Sequence, residues 1–199
     1  VTRHFSNSAG TLHVVRAPEQ KELAPIGGRH HTSAAVSSVL DRWLSRRVRD
    51  AYCEVSGHRS PAPGLDGMTD EMRWGLAHLD EDARARADRA VFEAIFQGAP
   101  GIAVIRRVAR LAPRRTAWLF ARLTPTSLRF LIGEAVPRGR SGNHLPACAF
   151  REKGGEQLCE HVCRRPTEAF CRDALGVPVT LRPSRDAGSF ACDWQWGEP

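Results

Sequence analysis

The stretch Cys148 to Gly197, CAFREKGGEQLCEHVCRRPTEAFCRDALGVPVTLRPSRDAGSFACDWQWG, decides how this chain is read. Cys159 and Cys163 stand four residues apart in a segment of helical character, which puts their sulfurs one turn apart on one face. Cys148 precedes the pair and Cys192 follows it, so a fold that gathers loop, helix and strand brings four thiols together. Such a set suits zinc or iron. It equally suits buried, reduced cysteines that pack as small apolar residues. The spacing leaves both open, since no second matched pair and no iron–sulfur run accompanies it. Cys171 is a further thiol on the helix TEAFCRDAL.

Around these cysteines the local signals are clear. Gly154-Gly155 precedes the helix of LCEHVC, and Pro166 is expected to end or kink it by pushing Arg165 out of helical geometry. Pro166 then opens the helix that Gly176 closes. Residues 177–182 and 189–194 alternate in polarity and are joined by PSRDAG, which predicts a hairpin.

The ordered set Cys148, Cys159, Cys163, Arg164, Pro166, Thr167, Phe170, Leu175, Gly176, Pro178, Thr180, Cys192 and Gly197 resembles the C-terminal domain of the plastid β-carotene isomerase family of strigolactone biosynthesis. LDGM at 65–68 and LTPTSLRFLIGEAV at 123–136 carry the resemblance upstream, so that it covers roughly residues 36–197. Gly155 replaces a cysteine common in the family, Arg164 and Glu168 replace a Lys and a Gln, and Ser184, Arg185, Asp186 and Ala187 replace an acidic turn. The resemblance implies an iron-dependent isomerase acting on a carotenoid or similar long isoprenoid. Cys148, Cys159, Cys163 and Cys192 would hold the iron, as a single ion or an iron–sulfur cluster. Cys171 is a candidate for reversible addition as a thiyl radical, and Glu156, Glu160 and His161 adjoin the cysteine pair as candidate acids or ligands. Two other readings stand beside it: an iron-dependent cyclase or rearrangement enzyme for an isoprenoid intermediate, and a non-enzymatic, zinc-stapled lipid- or partner-binding module.

With 199 residues, 42% of them hydrophobic and 26% charged, the chain suits one globular domain with a real core. No run of apolar residues is long enough to span a bilayer, and the N-terminal residues lack a signal-peptide core. These absences lead to the expectation of a cytoplasmic, reducing setting with at most peripheral membrane contact. Nearly all the basic residues are arginine, which reflects coding bias more simply than selection of each guanidinium.

Residues 1–31 read as a flexible arm ending in His30-His31, and 32–199 as one domain with a helical part (32–136) and a cysteine-rich part (144–197). Thr32 or Ser33 is expected to cap a first helix whose core face is Val36, Val39, Leu40, Trp43, Leu44 and Val48. Residues 56–67 read as a loop holding His58 and Asp66, and helices are expected over about 70–78 and 80–97, the second stopped by Gly98 and Pro100. Residues 137–143 read as a turn-rich linker. Cys53 is most simply a packed thiol.

Residues 101–140 hold nine arginines against the single acid Glu134, interleaved with aliphatic and aromatic side chains. A solvated basic face on a core layer, a membrane-surface or lipid contact, and nucleic-acid binding compete here. Nucleic acid is the weakest, because the aromatics look like core residues and no binding module is recognisable. The fold class expected is mostly α (α+β): a helical bundle with a small C-terminal antiparallel β-hairpin beside a cysteine-rich, metal-binding helix pair.

Overall fold

In the computed structural model, the residues described are 39–186 and 188–197. The arm, His30, His31 and the expected cap at Thr32 or Ser33 lie outside them. Helix α1, Val39–Ser56, buries Leu44, Val48 and Tyr52, an i, i+4, i+8 stripe. Leu44 and Val48 are buried as expected, whereas Val39, Leu40 and Trp43, expected on the same face, are exposed. The face turned inward is set by Arg49, whose Nε and Nη2 donate to buried Glu71 at 3.0 and 2.5 Å. Glu71 also accepts from the Ser60 backbone N–H at 3.1 Å, so one carboxylate ties α1, the 57–63 loop and the next helix together.

That helix, α2 (Gly64–His78), starts six residues earlier than expected. Pro63 holds the extended N-cap conformation, so the proline and glycine that read as loop form the entry to a helix instead. His58 stacks on Trp74 at 4.6 Å, and Asp66 pairs with Lys153 across the fold. Helix α3, Glu81–Ile95, is capped by Asp80, whose Oδ1 accepts from the Ala83 N–H at 2.7 Å. Ala87 and Val91 form its buried stripe.

Gly98 and Pro100, expected as terminators, lie in the first turn of α4, Gly98–Leu111; the break falls at Gln97, whose φ of 62° reverses the chain. Helix α5, Pro113–Ser127, follows after the single corner residue Ala112, and α6 is one short turn, Arg129–Ile132.

The sheet is larger than the expected hairpin. The stretch read as a linker forms β1 (Val136–Arg138) and β2 (Gly142–Leu145), turning through Gly139 at φ 62°. Strands β3 (Val179–Asp186) and β4 (Ser189–Trp196) run almost to the turn, so PSRD is strand and not loop. The antiparallel order is β1-β2-β4-β3, with Pro137 and Pro183 on the two edge strands, where a missing N–H costs no ladder bond. Central β4 buries Cys192, Trp194 and Trp196 against the helices. The mostly helical architecture with a small C-terminal antiparallel sheet is thus as expected; the sheet has four strands and not two.

Between β2 and β3 lies α7, Ala149–Leu158, broken at Gly155 (φ 79°), and then a continuous helical stretch. It comprises a π-helical segment Cys159–Arg164, helix α8 (Arg165–Phe170) and a second π-helical segment Cys171–Leu175. Pro166 does not end the helix. Arg165 is helical (φ −59°, ψ −49°), and its N–H bonds back to the Glu160 carbonyl, five residues earlier. The wider turn makes room for the proline ring and absorbs its missing donor.

Candidate functional site: four thiols beside an apolar cavity

Cys148 occupies the N-cap position of α7, and its N–H donates to the Phe190 carbonyl at 2.6 Å. The register that sets Leu145 opposite Cys192 brings the strand cysteine to the same place. Cys159 and Cys163 come from the first π segment, where residues four apart align more closely than at the 3.6 residues per turn of an α-helix. The fold therefore draws Cys148, Cys159, Cys163 and Cys192 into one neighbourhood. All four are reduced.

Neighbouring thiols make Cys159, Cys163 and Cys192 harder to ionise. Burial raises Cys163 well above the usual thiol range, and the neighbouring Cys148, Cys159 and Cys192 add to it. Burial, then Cys148 and Cys159, pushes Cys192 to about 12. Burial likewise raises Cys148 and Cys159. Cys163 is the least covered, and the part it exposes is cavity wall.

That cavity, about 120 Å³, lies between α3, α5 and the π segments. Its wall is apolar: Val91, Phe96, Phe120, Leu128, Phe150 and Trp194 are among the lining residues, with Cys163, Thr167 and Cys171 aligned along one side. A chain of rings crosses this region from Phe92 through Phe170, Phe96 and Phe120 to Trp196, with centroids 4.5 to 6.1 Å apart. Cys171 is buried, and desolvation pushes its thiol to about 12, so at neutral pH it keeps its proton. Cys53, half-buried on α1 against Arg59, stands apart as the packed thiol expected.

The expected acids are placed differently. Glu160 is held by Arg164 at 2.5 and 2.7 Å and by Arg165 at 2.7 Å, which lowers its carboxyl to about 2. It is therefore ionised at neutral pH and held in ion pairs with both arginines. Glu156 is exposed and pairs with Arg185 at 3.1 Å; His161 is exposed, and neither lines the cavity.

One residue near the thiols carried no signal in the sequence. Arg151 is buried, donates to the Ser184 carbonyl at 2.8 Å, and lies 4.8 Å over the Phe190 ring. Its charge eases ionisation of Cys148, Cys159 and Cys192, and its Nε has no partner. Among many arginines, only burial distinguishes it.

For a metal, donor chemistry and arrangement give different answers. Among the described residues no group of three or more His, Cys, Asp and Glu side chains is arranged to hold a metal ion. By residue type alone, four neighbouring thiols beside a buried guanidinium are the donors that a thiolate-bound iron cluster uses.

Four neighbouring thiols, one of which, Cys163, lines an apolar cavity, thus sit on a helical scaffold closed by a small sheet. Residues 118–199 match the family described as Beta-carotene isomerase D27-like, C-terminal, the same family that the cysteine pattern resembles. The chloroplastic beta-carotene isomerase D27 of Arabidopsis thaliana is 27% identical over 192 residues, covering 89% of this chain and 70% of its own length. The chloroplastic beta-carotene isomerase D27 of Medicago truncatula is 28% identical over 109 residues, 50% of this chain and 42% of its own. No solved structure matches the chain. The relatives also correct one expectation: both are chloroplastic proteins, so a cytoplasmic location, inferred from the lack of an export signal, is not retained.

Proposed function

We propose that this protein isomerises a carbon–carbon double bond of a carotenoid or related polyene, holding the reacting segment in the cavity under Phe120 and Trp194. One observation carries the reading: Cys163 and Cys171 place sulfur in the wall of an otherwise apolar cavity, within the stretch that matches the isomerase-like family. The names of the two relatives support the substrate class.

The cavity's size says how such a molecule would sit. A void of about 150 Å³ accepts benzene, so 120 Å³ takes about one isoprene-sized segment. A long polyene anchored by that segment leaves its other half outside and free to swing, which rotation about a double bond requires. Apolar walls exclude water from the reacting bond. Cys171 holds its proton at Sγ, so it presents a neutral thiol to the chain.

We assign iron, as a cluster, to Cys148, Cys159, Cys163 and Cys192. Iron bound there supplies the one-electron chemistry by which a π bond is weakened. The chain's own contribution is Arg151, a fixed positive charge that favours the ionised thiolates.

The test is incubation of anaerobically purified protein with all-trans β-carotene in detergent micelles, with products separated by chromatography and the iron content and visible spectrum measured in parallel. Time-dependent formation of a cis isomer by iron-loaded, coloured protein is the expected result. Iron-loaded protein that yields no isomer from carotenoids or shorter polyenes overturns the isomerase reading. Turnover by colourless, iron-free protein overturns the cofactor assignment alone.

A further inference from the structure

The helical hairpin of α4 and α5 is built against the usual rule of burial. On α4, Val104, Val108 and Leu111 recur at i, i+4 and i+7, a stripe that ordinarily faces a core. Here they are 64%, 47% and 80% exposed, and Ala109 is the helix's one buried residue. Beyond the corner at Ala112, α5 exposes Trp118, Leu119 and Leu123. Exposed apolar side chains at helical spacing among basic ones mark a docking site.

The charge around the face identifies what it meets. Arg106, Arg107 and Arg110 share α4 with the aliphatic stripe and are exposed. Beside the corner, a groove of about 950 Å³ is lined by Arg114, Arg115, Arg140 and Trp118. None of these six arginines pairs with an acid among the described residues, whereas Arg129 and Arg138, farther along, pair with Glu134 and Asp193.

We propose that the α4–α5 hairpin docks the protein on the surface of an anionic lipid bilayer. Val104, Val108 and Leu111 enter the acyl boundary, and Arg114, Arg115 and Arg140 receive headgroup phosphates. A bilayer surface offers these two chemistries in adjacent layers, matching an aliphatic edge flanked by free guanidinium groups. A second copy of the chain is a poorer occupant, because a twofold contact would set arginines against arginines. Nucleic acid would use the charge and leave the aliphatic stripe in water. Leu123, on the exposed face of α5, also lines the apolar cavity, so docking sets the cavity mouth toward the layer in which a polyene dissolves.

Co-sedimentation of the full chain with phosphatidylcholine vesicles, with and without phosphatidylglycerol, tests this independently of any isomerase activity. The expected result is binding only to the anionic vesicles, released by high salt, with a shift in tryptophan emission. Each arginine near such a surface is worth roughly a factor of five, so Arg114→Gln with Arg115→Gln should weaken binding about thirtyfold. Leu111→Glu should weaken it at least tenfold by removing an inserted side chain. Both sites are exposed, so unchanged circular dichroism is expected and confirms that the fold is kept. Absence of vesicle binding overturns the proposal. So does equal binding to neutral vesicles, thermal protection by inorganic phosphate without vesicle binding, or a dimer whose formation is abolished by Leu111→Glu.

Discussion

Replacing Ser127 by phenylalanine tests whether the small cavity is where the substrate sits. Ser127 ends α5, lines the cavity and is half-buried; its hydroxyl donates to the Leu123 carbonyl at 2.9 Å, a local bond whose loss costs little. A benzene-sized ring fills a void of about 150 Å³, so a phenyl group at this position takes up the 120 Å³ available. A displaced isoprene segment loses burial of about five carbons at about 0.8 kcal/mol each, roughly 4 kcal/mol. By transition-state arithmetic that is on the order of a thousandfold in kcat/KM. Stability should hold or rise, because the added ring meets an existing apolar wall. The assay is polyene turnover by Ser127→Phe, beside displacement of an apolar dye and a thermal melt. Undiminished kcat/KM in a folded variant that no longer takes the dye would mean that the reacting bond is handled elsewhere.

Two further predictions concern the scaffold. Burial pushes the Asp88 carboxyl up to about 7, against 3.8 for the free group. The folded protein therefore binds this proton more tightly than the unfolded chain does. That contribution is fully present below about pH 4 and is lost as pH rises through about 7. Asp88→Asn should remove the dependence and stabilise the protein by roughly 2 kcal/mol at pH 8, read from denaturant melts at pH 5 and 8. Parallel profiles for the two proteins would contradict this. Glu71→Gln leaves the buried Arg49 guanidinium without its counter-charge and should cost about 3–5 kcal/mol. Replacing both residues with methionine should recover most of the loss, and a double-mutant cycle on unfolding free energies measures the coupling.

The cysteine stretch was legible because its signals are local. Glycines, alternation and the four-residue spacing specify helix, strand and a shared face, and these hold in the structure. What sequence could not reveal is what tertiary contacts decide. Residues 137–143 pair as strands because β4 stands beside β2 with Asn143 opposite Trp194, an edge no local pattern announces. The face of α1 turns on Arg49 finding Glu71, twenty-two residues away. Glu160 looked available beside the cysteines, yet Arg164 and Arg165 close over it. Arg151 could not be separated from the many surface arginines until its burial was known.

Pro166 is the most informative of the misread residues, because its effect on the helix explains how the site is assembled. An α-helix advances about 100° per residue, so residues at i, i+4 and i+8 drift by about 80° around its surface. Cys163, Thr167 and Cys171 have that spacing and yet all line one cavity. The π segments on either side of α8 are wider turns, and they reduce the drift that an unbroken α-helix would impose. Proline is tolerated there because the Arg165 N–H already bonds five residues back, leaving room for the ring. The same widening keeps Cys159 and Cys163 on nearly one line, so the helix presents sulfur to the other thiols and to the cavity at once. Pro166 therefore acts on alignment: it favours the wide turn that lets one short helix serve both the thiol set and the apolar slot.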